Sequence, residues 1–249
     1  MGPPVDVDRV LADLYAAAEA VAFALAEHAD WGPSGNRPGQ YASDVVADEA
    51  VRSVLLPLGY GLISEESEVV EPAEGRPVLV VDPLDGSTNA SRGIPHFAVS
   101  LCAVDDEGPL AAVVLNLAIG TCYEAVRGGG ARRDGATLWR DDLPPLSEAI
   151  VGVSGLPGFN PGWAQFRCLG AAALDLCAVA DGTLDAYVDC VTDAHGVWDY
   201  LGALLVCREA GVIVEDANGR NLCVLDRSVR RTPVAAVGNV LHEALSGGG

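Results

Sequence analysis

The sequence predicts a fold that joins an α+β N-terminal half to an α/β C-terminal half, and three observations carry that reading. Two amphipathic helical patterns open the chain, short apolar runs follow at close spacing, and strand-like and helix-like segments alternate after Ile150. The first helix covers residues 7–28, where Val10, Leu11, Leu14, Ala18, Val21 and Leu25 recur at helical spacing behind Asp6 or Asp8 as the cap. Residues 31–40 (WGPSGNRPGQ) are rich in breakers and read as a loop. A second helix begins at about Ser43, places Val45, Val46, Ala50, Val51, Val54 and Leu55 on one face, and stops near Pro57 and Gly59. The runs 61–64, 77–82, 98–104, 110–116 and 121–126 read as strands, and their close spacing implies an antiparallel meander. Beyond residue 150, helices are expected over 170–180 and 199–210 and strands over 185–189 and 212–215. The breaker-rich stretch 141–145 (DDLPP) is the best boundary. It divides the chain into 1–145, which carries most of the candidate ligands, and 146–249, within one compact structural unit.

Composition narrows the function classes. The chain has 249 residues, 35 acidic against 15 basic, and a formal charge of −20; every basic residue is Arg. A chain of this length buries roughly 70–75% of its unfolded surface. Its apolar half and mean hydropathy of +0.26 exclude a disordered acidic chain. No apolar run approaches the roughly 20 residues of a bilayer span, and the first residues are acidic where an export signal would be basic, so a cytoplasmic protein without a membrane partner is expected. The negative charge repels nucleic-acid polymers, but it is compatible with a small phosphorylated compound held through metal ions. The seven cysteines are odd in number, form no CxxC pair and mostly sit in apolar runs, as reduced core thiols would.

A few carboxylates stand out from the solvated majority. Asp82 ends the apolar run Val78-Leu-Val-Val81, where a buried charge is costly unless a cation compensates it. Asp85 follows Pro83-Leu84, and the rigid proline lets the two carboxylates converge just beyond the strand. Gly86-Ser87-Thr88-Asn89 reads as a turn into a helix whose first amides face outward, an arrangement suited to an anion. A carboxylate pair beside an anion site calls for a metal between them. Glu65 and Glu66 follow the run 61–64, and Asp199 opens the last long apolar helix, where helix capping also accounts for it. The oxygen-only set Glu65, Asp82, Asp85 and Asp199 suits Mg2+ or Mn2+ and argues against zinc, and the spacing excludes an EF-hand loop.

Asp82-Pro-Leu-Asp-Gly-Ser-Thr-Asn89 with Gly93-Ile-Pro95 resembles the first signature of the inositol monophosphatase superfamily, and Trp198-Asp199 with Glu209-Ala-Gly211 resembles the second. Ser64-Glu-Glu-Ser67 and Ser43-Asp44 are similar to the family's upstream motifs, and residues 170–177 and 182–187 to the segment between the signatures, so the likeness covers residues 42–211 in order. The resemblance implies a layered α-β-α-β-α sandwich of the inositol monophosphatase and fructose-bisphosphatase type, with its site between the two halves. It implies a homodimeric Mg2+-dependent phosphomonoesterase acting on inositol monophosphate or a related sugar phosphate. Glu65, Asp82 and the carbonyl of Leu84 would hold one ion, Asp82, Asp85 and Asp199 a second, with a third near Glu65. Ser87, in place of the commoner Thr, would act with Asp44 and Glu65 on the attacking water. Gly86, Ser87 and Thr88 would hold phosphate oxygens through their amides, and Asp189 matches an acidic residue that touches substrate hydroxyls.

The sequence departs from the family pattern at several places. No lysine precedes Asp44, since the loop there is Arg37-Pro-Gly-Gln; Ala90, Ala171 and Val212 replace an aromatic, a hydroxyl residue and a glycine; and His195 lies in an extended stretch that reads as a solvated loop. The competing activities are fructose-1,6-bisphosphatase or a dual-specificity phosphatase, then histidinol-phosphate or 3′-phosphoadenosine 5′-phosphate phosphatase. A phosphatase of the haloacid dehalogenase type, which phosphorylates its first Asp, needs one residue between its two aspartates, and here two intervene. A non-catalytic sugar-phosphate binder is disfavoured because every expected carboxylate is present.

Overall fold

Asp6 opens helix α1 (Val7–Ala26) by accepting the Arg9 amide, and α1 packs beside α2 (Ala42–Leu55). In the computed structural model, which describes residues 5–141, 144–158 and 160–246, both helices turn their apolar stripes onto a seven-stranded sheet. Its strands are β1 (Gly61–Ser64), β2 (Val78–Asp85), β3 (Ala98–Asp105), β4 (Gly108–Asn116), β5 (Cys122–Val126), β6 (Gly130–Arg133) and β7 (Ala136–Leu138), in sequential order. The antiparallel meander holds from β2 to β7, but β1 runs parallel to β2, because the connection over 65–77 returns the chain to the same end of the sheet. The strand expected to stop at Asp82 continues to Asp85. Asp82 pairs with Ser100 and Asp85 with Ala98, so β2 carries one more residue than β3 between these pairs, and Pro83 sits in that bulge, where its missing N–H costs no ladder bond.

A second sheet has the order β11 (Ile213–Asp216), β12 (Pro233–Ala236), β10 (Ala186–Asp189), β8 (Ile150–Ser154) and β9 (Gln165–Arg167). It is mixed: β8 is parallel to β9 and β10, and β12 is antiparallel to both of its neighbours. Helices α4 (Ala172–Asp181) and α5 (Val197–Glu209) fill the space between the sheets, and α6 (Asn239–Ser246) covers the outer face of the second. The layers therefore run α, β, α, β, α. The short helix α3 (Ser87–Arg92) lies at the end of β2. The boundary expected at 141–145 falls between the two sheets, with residues 142–143 outside those described.

From β1 to β4 the first sheet is buried on both faces, which is why these strands read as continuous apolar runs. Leu79, Val81, Val99, Leu101, Ala111 and Val113 pack toward α1 and α2, while Val80, Ala98, Cys102, Ala112 and Val114 pack toward the middle layer. α5 is apolar on every side because it is enclosed on every side. The cysteines only partly meet the expectation of core thiols. All seven are free, Cys102, Cys177 and Cys207 are buried, and Cys168 is exposed. Among the described residues no helix is long and apolar enough to cross a membrane.

Close approach of α5 to the first sheet depends on Gly202. A Cβ there would lie 2.8 Å from the Ser100 hydroxyl and 3.4 Å from Val114. Gly202→Val should therefore destabilise the protein by about 1–3 kcal/mol through overpacking, read as a lower urea midpoint; an unchanged midpoint would show that the layers separate freely here.

Candidate active site

Four aspartates share one construction: a backbone amide holds one carboxylate oxygen and leaves the other open. Asp44, in the first turn of α2, accepts the Tyr41 amide at 2.8 Å, and Asp199, in the first turn of α5, accepts the Gly196 amide at 2.7 Å. Both are helix-capping bonds made back to the residue before the helix. Asp82 accepts the Leu84 amide at 3.0 Å across the bulge, and Asp85 accepts the Ala173 amide at 2.8 Å from the start of α4. The second oxygen of each takes no hydrogen bond from the described residues, and Asp44 Oδ1 is fully buried without a partner.

These elements bring Glu65, Asp82 and Asp199 together from residues 65 to 199, with carboxylate oxygens all within 4.8 Å of one another. Asp85 is buried beside them, and Asp199 is its strongest charged neighbour. Among the described residues no Arg forms an ion pair with Glu65, Asp82 or Asp85. Burial and then mutual repulsion push the Glu65 carboxyl up to about 8, and they drive Asp82 and Asp85 well above the usual carboxylate range. Asp44 rises to about 6, chiefly through burial, against the lowering effect of the Tyr41 amide. Largely enclosed, oxygen-rich and without an arginine partner among the described residues, this donor set fits a hard divalent metal.

The neighbouring sequence residues fall into place around it. Gly86 adopts φ 82°, and a Cβ there would meet the His96 carbonyl at 3.0 Å and Ala171 at 3.1 Å, so the turn into α3 requires glycine. The Ser87 and Thr88 amides precede the first bond of that helix, from the Ala90 amide to the Gly86 carbonyl. Ser87 lies close enough to Asp44 for its hydroxyl to lower the Asp44 pKa, and the Leu84 side chain is buried in the core under α1 and α2. Asn89 donates to the carbonyls of His96 and Leu169, both at 2.8 Å, tying α3 to the C-terminal half. Glu209, from the second motif, accepts the Gly128 and Gly130 amides at 2.9 and 3.0 Å and braces the β5–β6 turn.

His195 is a correction to the sequence reading, since it is mostly enclosed, with 14% of its side chain exposed, instead of solvated. Its Nδ1 lies 3.2 Å from Asp199, and its Nε2 lies 3.2 Å from both the Tyr187 and Ser154 hydroxyls and 3.5 Å from Asp189 Oδ2. Asp189 is thus separated from Asp199 by the imidazole. It lines a second cavity of about 320 Å³ with Trp163, Thr192 and Asn218, and its buried Oδ2 has no hydrogen-bond partner.

The cavity at the carboxylates measures about 590 Å³ and is bounded by Asp44, Glu65, Glu66, Ser87 and Trp198. Sequence reasoning missed its basic wall of Arg37, Arg227 and Arg230. Arg37 stands in the loop where the lysine was missing, donates to the Glu65 carbonyl at 3.3 Å and pairs with Glu66 at 2.6 Å. The other two come from beyond the second motif, in a stretch with no periodicity to mark it.

Comparison with known proteins points to one family. The model of the inositol monophosphatase family matches residues 40–246. A protein of Rhizobium meliloti named inositol-1-monophosphatase is 36% identical over 202 residues, 73% of this chain and 74% of its own length. One of Thermococcus kodakarensis, named fructose-1,6-bisphosphatase/inositol-1-monophosphatase, is 35% identical over 198 residues, 79% and 77% of the two chains. The solved structure of the extragenic suppressor protein SuhB from Bartonella henselae superposes with a TM-score of 0.81 at 27% identity, over 96% of this chain and 99% of that one.

The raised carboxyls set the pH response of the metal-free protein. A group whose folded pKa lies above its unfolded value adds stability at low pH and loses it as pH rises through the folded value. For Asp44 and Glu65 that loss runs through about 6 and about 8. In EDTA the melting temperature should fall between about pH 6 and about pH 8.5, and saturating Mg2+ should raise it more at the higher pH. A melting temperature that climbs over this range in EDTA contradicts the site as described.

Proposed function

The chain belongs to the inositol monophosphatase family and hydrolyses phosphomonoesters, and from that premise we propose that its substrate is an inositol monophosphate or a related sugar phosphate and its cofactor Mg2+. The observation that carries the reading is the convergence of the Glu65, Asp82 and Asp199 oxygens, with no arginine paired to any of them among the described residues, beside the turn at Gly86. In this reading Glu65, Asp82 and the Leu84 carbonyl hold one ion, Asp82, Asp85 and Asp199 a second, and Glu65 takes part in a weaker third; Mn2+ suits the same oxygens. Bound there, the ions supply Lewis-acid polarisation of the phosphate and a lowered pKa for a nearby water.

The chain's own residues supply the rest. Asp44 keeps Oδ1 open because Oδ2 is held by the Tyr41 amide, and a pKa of about 6 leaves it ionised near neutrality yet able to accept a proton. The Ser87 hydroxyl stands beside it to relay that proton. The amides that follow Gly86 receive phosphate oxygens, and Asp189, which lines the neighbouring cavity, is an acceptor for substrate hydroxyls. We place the protein in the cytoplasm, in keeping with seven free cysteines, and read it as a homodimer whose halves 1–145 and 146–249 form one unit. A second reading, fructose-1,6-bisphosphatase or a dual activity, is favoured by the relative that bears both names. Phosphate release from inositol 1-phosphate, fructose 1,6-bisphosphate, histidinol phosphate and 3′-phosphoadenosine 5′-phosphate, with and without Mg2+, decides among them. Release from none of these sinks the proposal.

Asp85→Asn should abolish turnover and leave the melting temperature of the metal-free protein equal or higher, because a charge leaves a repelling cluster while the amide oxygen can still accept from Ala173. A rate above about a tenth of wild type removes Asp85 from the site.

Ser87→Ala should lower kcat by roughly 100-fold, the scale of a lost general-base contact, with Mg2+ dependence little changed. Ser87→Thr should be nearly silent. An Ala variant that keeps full activity and loses only about 1 kcal/mol of stability would leave Ser87 as a helix cap.

A further inference from the structure

Arg227 and Arg230 are set into the mouth of the active-site cavity in a way that their packing alone does not require. Both guanidinium groups lie over the ring of Trp198, at 5.9 and 5.0 Å from its centroid, immediately before the ligand Asp199. Arg227 donates through Nε to the Ser64 carbonyl at 2.9 Å and through Nη2 to the Glu65 carbonyl. Arg230 donates through Nη1 to the carbonyls of Arg227 and Val229, at 2.8 and 3.0 Å. Every one of these acceptors is a neutral backbone oxygen. Among the described residues neither arginine pairs with a carboxylate, although the chain carries 35 acidic residues; Arg37, on the same cavity, is already matched by Glu66. Two like charges over one ring repel each other, and the aromatic face offsets only part of that repulsion. A guanidinium has five N–H donors, so each of the two arginines keeps N–H donors that no acceptor among the described residues takes. Paired arginine forks match the oxygens of a phosphate group, which they bind bidentately.

We infer that Arg227 and Arg230 form a subsite for a second phosphate carried by the leaving alcohol of the substrate, and so set specificity between bisphosphorylated and monophosphorylated sugars. The inference rests on the phosphatase reading above, in which the scissile phosphate occupies the carboxylate site. Trp198 couples the two places: its ring carries the arginine pair, and the next residue along the helix is Asp199. Arg230 is the better probe, because Arg227 also braces the Glu65 carbonyl and with it the metal site.

The test compares wild type with Arg230→Gln and Arg230→Lys in saturating Mg2+, on fructose 1,6-bisphosphate and on inositol 1-phosphate. For Arg230→Gln the ratio of kcat/KM on the bisphosphate to that on the monophosphate should fall about ten- to a hundred-fold, the scale of hydrogen bonds to a charged group, and the loss should lie in KM. Arg230→Lys should recover part of it, since the charge is kept and the fork is lost. An equal loss on both substrates places the arginine on the scissile phosphate or in the fold and overturns the inference, as does an unchanged ratio. Should wild type hydrolyse neither compound, the sugar-phosphate reading fails by itself. Calorimetric binding of fructose 1,6-bisphosphate to wild type and Arg230→Gln then decides the subsite, and equal affinities reject it.

Discussion

Burying several carboxylates with no arginine paired to them among the described residues is the constraint on which the rest of this structure depends. Left free, such groups would turn away, take a proton or draw water inward. Here Asp44, Asp82, Asp85 and Asp199 are each held by one main-chain amide, so the carboxylate is oriented before any metal arrives. The amides belong to four different places: the approach to α2, the bulge in β2, the start of α4 and the approach to α5. Secondary structure thereby acts as the outer shell of the site. The bonds that begin two helices are the bonds that aim two of the aspartates.

The layered architecture follows from the same requirement. Carboxylates on β2 and on α5 can meet only if α5 packs directly on the first sheet, and the absence of a side chain at Gly202 permits that approach. The middle layer is then shared by both sheets, and a single core of buried side chains runs from Val80 and Val114 through α4 and α5 to Ala235. The carboxylate cluster sits at one end of this contact, with Asn89 and His96 reaching across it to Leu169 and Asp175.

Much of this was legible in the sequence, and physical reasons separate what was from what was not. The strands from β2 to β4 announced themselves because both faces are buried, which leaves apolar runs; β6, β7 and β9 did not, since Arg132, Arg133, Thr137 and Gln165 interrupt short segments near sheet edges. Asp82 and Asp85 stood out because a charge at the end of an apolar strand demands an explanation. The parallel pairing of β1 with β2 left no trace in composition, for it is fixed by the path of a loop. His195 carried no local signal of burial, since its partners come from Ser154, Tyr187, Asp189 and Asp199. The arginine wall was invisible for a similar reason: Arg37, Arg227 and Arg230 meet only after folding.

The two hydrogen bonds of Asn89 bear on how such a protein can be inherited. Most of the carboxylates lie in the first 85 residues, which invites the idea of an ancestral N-terminal fragment that later acquired a partner. Yet the turn that would receive the phosphate is fastened to the carbonyl of Leu169, and Asp85 is fastened to the amide of Ala173. A gene encoding the first half alone would specify the acidic ligands without the anchors that orient them. Recombination that exchanges halves between distant relatives must therefore preserve this seam, and the smallest unit that evolution can shuffle without loss of the chemistry is the whole layered body.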